Sequence, residues 1–226
     1  GYNSIDEVLK QGLHALTPDE LQTAVETVNA LVLDVRSAAS FYKGFIPGAI
    51  NIGLKGDFAP WVGALIVDVK QPLVLVTEPN EEEEAVIRLA RVGFDNVIGY
   101  LKGGFVTWKI AGKEIDTVNR ISATEFKNEV GKQMVIDVRK DAEYTAEHAE
   151  NAYSRPLAAI NNWFSELKKE QPFYIHCAGG YRSMIAASIL KSRGIHNFKE
   201  IDGGFKSMVE AGVPKTDFVC QSKILS

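Results

Sequence analysis

The sequence predicts an α/β protein of two tandem domains, each a small parallel β-sheet with helices on both faces. Two observations carry this. Segments recur at a spacing close to one hundred residues, and within each copy short apolar runs alternate with helix-period patterns, as in βαβ units. An apolar run bounded by helices marks a strand covered on both faces. So long a period exceeds that of a solenoid repeat, and the copies therefore read as domains.

Residues 1–15 precede the repeat and read as a linker or connecting helix. Each copy then opens on a capped helix, at Thr17-Pro18-Asp19-Glu20-Leu21 in the first and Ser122-Ala123-Thr124-Glu125-Phe126 in the second. In both, the hydroxyl satisfies a free N–H at the helix start and the Glu three residues on reaches back. The first long strand, Leu31-Val32-Leu33-Asp34-Val35-Arg36, is matched by Met134-Val135-Ile136-Asp137-Val138-Arg139. The next, Leu73-Val74-Leu75-Val76-Thr77, is matched by Phe173-Tyr174-Ile175-His176-Cys177, and helical patterns follow over 81–92 and 181–193. The last matched pair is Leu101-Lys102-Gly103-Gly104-Phe105 with Ile201-Asp202-Gly203-Gly204-Phe205. Residues 113–119 are polar and form the expected boundary, giving domains over 16–116 and 120–215 and a C-terminal tail over 216–226.

A chain of 226 residues with 46% hydrophobic and 24% charged residues has the usage of a globular protein, which excludes disordered and fibrous classes. Twenty-five Lys+Arg against twenty-nine Asp+Glu give a net charge of −4, so there is no basic footprint for nucleic acid. Any anion must be held by a local site. Two cysteines cannot make a disulfide framework, no apolar run has the length of a membrane span, and the N-terminus does not read as a signal peptide. A cytoplasmic setting is expected. His14, His148, His176 and His196 are scattered and form no metal-ligand pattern, so no metal is expected.

Cys177 ends an apolar strand and is followed by Ala178-Gly179-Gly180-Tyr181-Arg182-Ser183, after which a helical pattern begins. Consecutive small residues let backbone N–H groups curl toward one point, and the helix dipole adds partial positive charge there. A thiol in such a cup, with Arg182 close by, is expected to fall from ~8.5 into the range ~3.5–7.5 and to act as a thiolate nucleophile.

These residues resemble the rhodanese (sulfurtransferase) family. Asp137-Val138-Arg139, then Glu143-Tyr144 with His148, then the Cys-x-x-Gly-x-Arg loop of Cys177, Gly180 and Arg182, then Gly203-Gly204-Phe205 stand in that family's order over about 120–212. The resemblance implies attack of Cys177 on the sulfane sulfur of thiosulfate or a low-molecular-weight persulfide. The covalent persulfide then passes its outer sulfur to a thiol, sulfite or cyanide, with no separate cofactor. It further implies that the N–H groups of residues 178–183 cradle the persulfide and that Arg182 steers or neutralises an anionic substrate. Asp137 and Arg139 are expected beneath the loop as an ion pair, and His148 as a structural group rather than a proton donor. Cys220 is expected to be a bystander, with sulfur relay as the alternative.

The first copy aligns through Asp34-Val35-Arg36, Gly48-Ala49-Ile50-Asn51-Ile52 and Gly103-Gly104-Phe105, but Thr77 stands where the second has Cys177. Its loop reads Glu78-Pro79-Asn80-Glu81-Glu82-Glu83, and Phe45 stands near the counterpart of His148. An inactive partner domain is expected. The opening Tyr2-Asn3-Ser4-Ile5-Asp6-Glu7-Val8-Leu9 is similar to the C-terminal portion of bacterial fusions that place a metallo-β-lactamase-fold persulfide dioxygenase before rhodanese domains. If such a fusion is the parent, the chain is a fragment of a longer protein with that domain upstream. Two rival functions remain: a non-catalytic sulfur-carrier or docking module, and a phosphatase or arsenate reductase on the same fold. Against the latter, Cys177 to Arg182 spans Cys-x4-Arg, one residue shorter than the related phosphatase loop.

Overall fold

The computed structural model describes residues 4–218, so Cys220 lies outside the described residues. Contacts divide the chain between Thr117 and Val118 into two units, each taken by itself.

In the first unit, α1 (Ile5–Gly12) precedes β1 (Ala15–Leu16), α2 (Pro18–Val28), β2 (Leu31–Asp34), α3 (Ala38–Phe41) and β3 (Ile50–Asn51). Then come α4 (Phe58–Leu65), β4 (Leu73–Val76), α5 (Glu82–Ala90), β5 (Val97–Leu101) and α6 (Phe105–Ile110). The strands form one sheet in the order β1-β5-β4-β2-β3, parallel throughout. The segment expected to link or connect is a helix that belongs to this unit: Val8 is buried, and a methyl group added at Gly12 would meet Val86 at 2.8 Å. Its own capping box joins Ser4 and Glu7, a signal the sequence carries as plainly as the two predicted ones.

The second unit repeats the plan with β6 (Arg120–Ile121), α7 (Ala123–Lys127), β7 (Met134–Asp137), α8 (Asp141–Ala146), β8 (Ala152–Ser154) and α9 (Ile160–Trp163). It closes with β9 (Phe173–His176), α10 (Tyr181–Ser192), β10 (Phe198–Ile201) and α11 (Gly204–Glu210). Its sheet is also parallel, in the order β6-β10-β9-β7-β8. The predicted capping boxes form as expected, Thr17 with Glu20 and Ser122 with Glu125. Every residue of β4 and of β9 is buried, which is why those runs show no polar alternation. Behind β9, α10 is buried from Ser183 through Leu190, a helix apolar on nearly all sides. A further core cluster joins Phe126, Val135, Tyr174, Ile201, Phe205 and Met208, each apolar side chain contributing about 1.5–3 kcal/mol.

The order of the second sheet has a consequence for chemistry. The chain runs outward from β7 to β8, then returns to place β9 on the other flank of β7. The carboxyl ends of β7 and β9 therefore flank a topological switch point, the place where open α/β sheets bind ligands.

Candidate active site

Cys177 follows β9 at this switch point, buried to 1% exposure. The Gly180 N–H donates to Sγ at 3.1 Å. Gly180 adopts φ 111° as the N-cap of α10, a left-handed conformation that glycine adopts without strain. The turn thereby aims an amide and the positive end of a twelve-residue helix at the sulfur. The back of the turn is held by α11: Phe205 N–H donates to the Cys177 carbonyl at 2.7 Å and Lys206 N–H to that of Ala178 at 3.1 Å. This approach requires glycine at 204, where φ is +60° and an added Cβ would stand 2.5 Å from the Cys177 carbonyl oxygen.

Arg182 and Glu143 face each other as a bidentate pair, the second contact at 2.9 Å. Hydrogen bonding to Arg182 holds the Glu143 carboxyl below the usual carboxylate range. The guanidinium expected to meet an anionic substrate is thus already partnered by a carboxylate from α8. Arg139 forks onto Asp137 with Nε at 3.0 Å from Oδ1 and a terminal nitrogen at 2.7 Å from Oδ2. Its other contacts run to the Glu147 carbonyl at 2.8 Å and to the Phe205 ring at 4.2 Å, not to residues 178–183. The pair therefore supports the turn at second hand, through Phe205 and its bond to Cys177. His148 stacks on Tyr144 with ring centroids 3.8 Å apart, and its Nδ1 lies 2.8 Å from the Tyr144 carbonyl. These contacts fix the segment after α8 rather than reach the sulfur.

Behind Cys177 lies a chain of polar groups of which the sequence points only to Ser183, in the 178–183 loop; Glu200, Arg120 and Asp202 were missed. The Cys177 thiol lies 3.4 Å from Ser183 Oγ, and that hydroxyl donates to Glu200 Oε1 at 2.7 Å. Arg120 Nε donates to Glu200 Oε2 at 2.7 Å, and its guanidinium reaches Asp202 at 3.0 Å. Glu200 is fully buried, and desolvation pushes its carboxyl up to about 6 despite Arg120 and Ser183. The signal for it is the Phe198-Lys199-Glu200 alternation, which puts Glu200 on the inward face with Phe198.

Residues 17–111 and 122–211 each match the family model described as a rhodanese-like domain. The chain belongs to the rhodanese-like family. YqhL of Bacillus subtilis, an uncharacterised protein, is 30% identical over 86 residues, 38% of this chain and 68% of that protein. A rhodanese-related protein of Thermoplasma volcanium is 26% identical with a TM-score of 0.41, covering 43% of this chain and 97% of that one. A thiosulfate sulfurtransferase of Pseudomonas aeruginosa is 18% identical with a TM-score of 0.40, covering 92% of this chain and 44% of that one.

The first rhodanese-like unit keeps the scaffold and carries different residues at the corresponding turn. Arg36 forks onto Asp34 as Arg139 does onto Asp137, and it lies 4.5 Å from the Phe105 ring. Phe41 and Phe45 stack at 4.0 Å where the second unit stacks Tyr144 and His148. Thr77 follows β4, Glu78 accepts from the Ser40 hydroxyl at 2.9 Å, and Lys55 pairs with Glu81 at 3.0 Å. By the matching of Leu101-Lys102-Gly103-Gly104 to Ile201-Asp202-Gly203-Gly204, Tyr100 holds the place of Glu200. Among the described residues no cluster of three metal-ligating side chains occurs, and no helix is long and apolar enough to cross a membrane.

Proposed function

We propose that the second unit is a sulfurtransferase in which Cys177 carries sulfane sulfur as a persulfide, and that the first unit is a non-catalytic partner. The observation that supports this most directly is Sγ inside a turn that aims the Gly180 N–H and the N-terminus of α10 at it. With thiosulfate as donor, the Cys177 thiolate attacks the outer sulfur, a new S–S bond forms and the donor's S–S bond breaks with its electron pair leaving on sulfite. Cyanide, sulfite or a thiolate then attacks the terminal sulfur and regenerates the Cys177 thiolate. The persulfide's charge falls on the outer atom, where preorganised donors stabilise it. No cofactor enters the cycle. Thiosulfate and low-molecular-weight persulfides are the proposed donors, and an upstream metallo-β-lactamase-fold domain of a longer protein is the proposed partner.

Incubation with thiosulfate or glutathione persulfide, followed by mass spectrometry, tests this. One added sulfur atom on Cys177, absent from the Cys177→Ser variant, is expected, because a serine hydroxyl cannot carry a persulfide. Sulfur transfer retained in Cys177→Ser would overturn the reading, and hydrolysis of an aryl phosphate at comparable rates would replace it with the phosphatase alternative.

A further inference from the structure

The sulfur of Cys177 and the carboxyl of Glu200 are joined by a single hydroxyl. Ser183 Oγ stands 3.4 Å from Sγ and 2.7 Å from Glu200 Oε1. A hydroxyl has one proton to donate and lone pairs to accept with, so its orientation couples its two neighbours. While Glu200 is ionised, Ser183 donates to it and can only accept from sulfur, which favours the thiol. Once Glu200 is protonated, its O–H donates to Ser183 and the serine proton turns to sulfur, which favours the thiolate.

We propose that Ser183 and Glu200 form a proton relay that readies Cys177 for attack. The S–H bond breaks and its proton joins Ser183 Oγ, while the O–H bond Ser183 held breaks and that proton joins Glu200 Oε1. One negative charge moves from carboxylate to sulfur and the buried group keeps its total charge, so no proton has to reach solvent. Ser183 touches the reacting atom, whereas Glu200 acts through it as a positioning residue. This inference rests on Cys177 being the sulfur-transferring nucleophile.

The charged groups around the relay fit this assignment. Arg120, on β6, occupies Glu200 Oε2 and leaves Oε1 to the serine; when Glu200 is neutral, Arg120 still holds Asp202 at 3.0 Å. On the sulfur side stand the Arg182–Glu143 pair from α10 and α8, and beneath it Asp137 and Arg139 with His176, whose Nδ1 lies 3.0 Å from the Cys177 carbonyl. Burial places the Glu200 carboxyl at about 6, within reach of neutral pH. The first unit offers an internal comparison. It lacks the thiol, and the buried acid and its arginine are absent with it: Tyr100 stands for Glu200, and Ala15 pairs with Tyr100 as Arg120 pairs with Glu200. A buried carboxylate is costly to keep, and it is kept in the unit that has the cysteine.

The test is the pH dependence of Cys177 alkylation by iodoacetamide, read on the Cys177 peptide by mass spectrometry in the full chain. Two bound protons shared by two coupled groups leave in two steps. The wild-type rate is expected to rise twice, first near pH 6 and again at higher pH, with a plateau between. Glu200→Gln and Ser183→Ala should each show one rise, and Ser183→Thr should keep both. In Glu200→Gln, Arg120 fixes the amide oxygen on its own side, so the NH2 faces Ser183 and its single rise should lie at lower pH than that of Ser183→Ala. A single wild-type rise, or two rises persisting in Glu200→Gln or Ser183→Ala, overturns the relay. If Glu200→Gln does not fold, the wild-type and Ser183 variants decide. Because alkylation needs no sulfur donor, a single-rise protein that transfers sulfur refutes the relay alone, and a two-rise protein that does not refutes the sulfurtransferase reading alone.

Discussion

Glu200 gives up its hydration completely, and what replaces it, one guanidinium nitrogen and one serine hydroxyl, does not restore its ordinary acidity. A carboxyl whose folded value lies above its unfolded one stabilises the fold while protonated. That contribution is complete below about 4.5 and is lost as the pH rises through about 6. At 1.36 kcal/mol per pH unit the change amounts to about 2 kcal/mol. The stability advantage of wild type over Glu200→Gln, from urea unfolding at several pH values, is therefore expected to fall by about 2 kcal/mol across that window. A difference that stays constant would mean that Glu200 is not held up by burial. His176 is shifted the opposite way, downward by burial, and its contribution is lost as the pH falls; both proteins carry it, so it cancels. Arg182 reads from the sequence as free for substrate, and nothing in its spacing from Cys177 announces Glu143, which comes from a different helix.

At the scale of elements, the helices and long strands are legible. The patterns over 81–92 and 181–193 correspond to Glu82–Ala90 and Tyr181–Ser192, because apolar spacing is a property of residues close together along the chain. The two-residue strands β1, β3 and β6 are too short for any period to show, and they exist only as edges paired to longer neighbours. The contact between α11 and the Cys177 turn is likewise an element-level feature, and it makes a sharp prediction. Gly204→Ala would force a methyl group onto the Cys177 and Ala178 backbone from a residue already at positive φ. A destabilisation of about 1–3 kcal/mol is expected. A loss of sulfur transfer on the order of a hundredfold should accompany it, since a displacement of about 1 Å at the nucleophile costs that much. Steady-state rates on the folded variant check this; an unchanged rate would show that the turn does not depend on α11.

For the whole molecule, the duplication is one scaffold written twice with one set of reactive groups. Restoring the thiol by Thr77→Cys in a Cys177→Ser background is expected to give no sulfur uptake by mass spectrometry. Glu78, Glu81, Glu82 and Glu83 are expected to oppose both a thiolate and an anionic donor at that position. The Ser183–Glu200 pair also has no counterpart at Tyr100. Uptake at the introduced thiol would mean that the acidic loop is no obstacle and that the scaffold alone suffices.

The α/β class, the twofold repeat, the capped helices and the cysteine-bearing turn were all legible in the chain, because each depends on residues near one another along it. Tertiary packing settled what those residues meet. It brought Glu200 behind Cys177 by pairing β10 with β9, set Arg120 on β6 against Glu200 on β10, and turned Arg182 toward Glu143. Such contacts join residues many positions apart, and their energy comes from desolvation and hydrogen-bond geometry that no local pattern encodes.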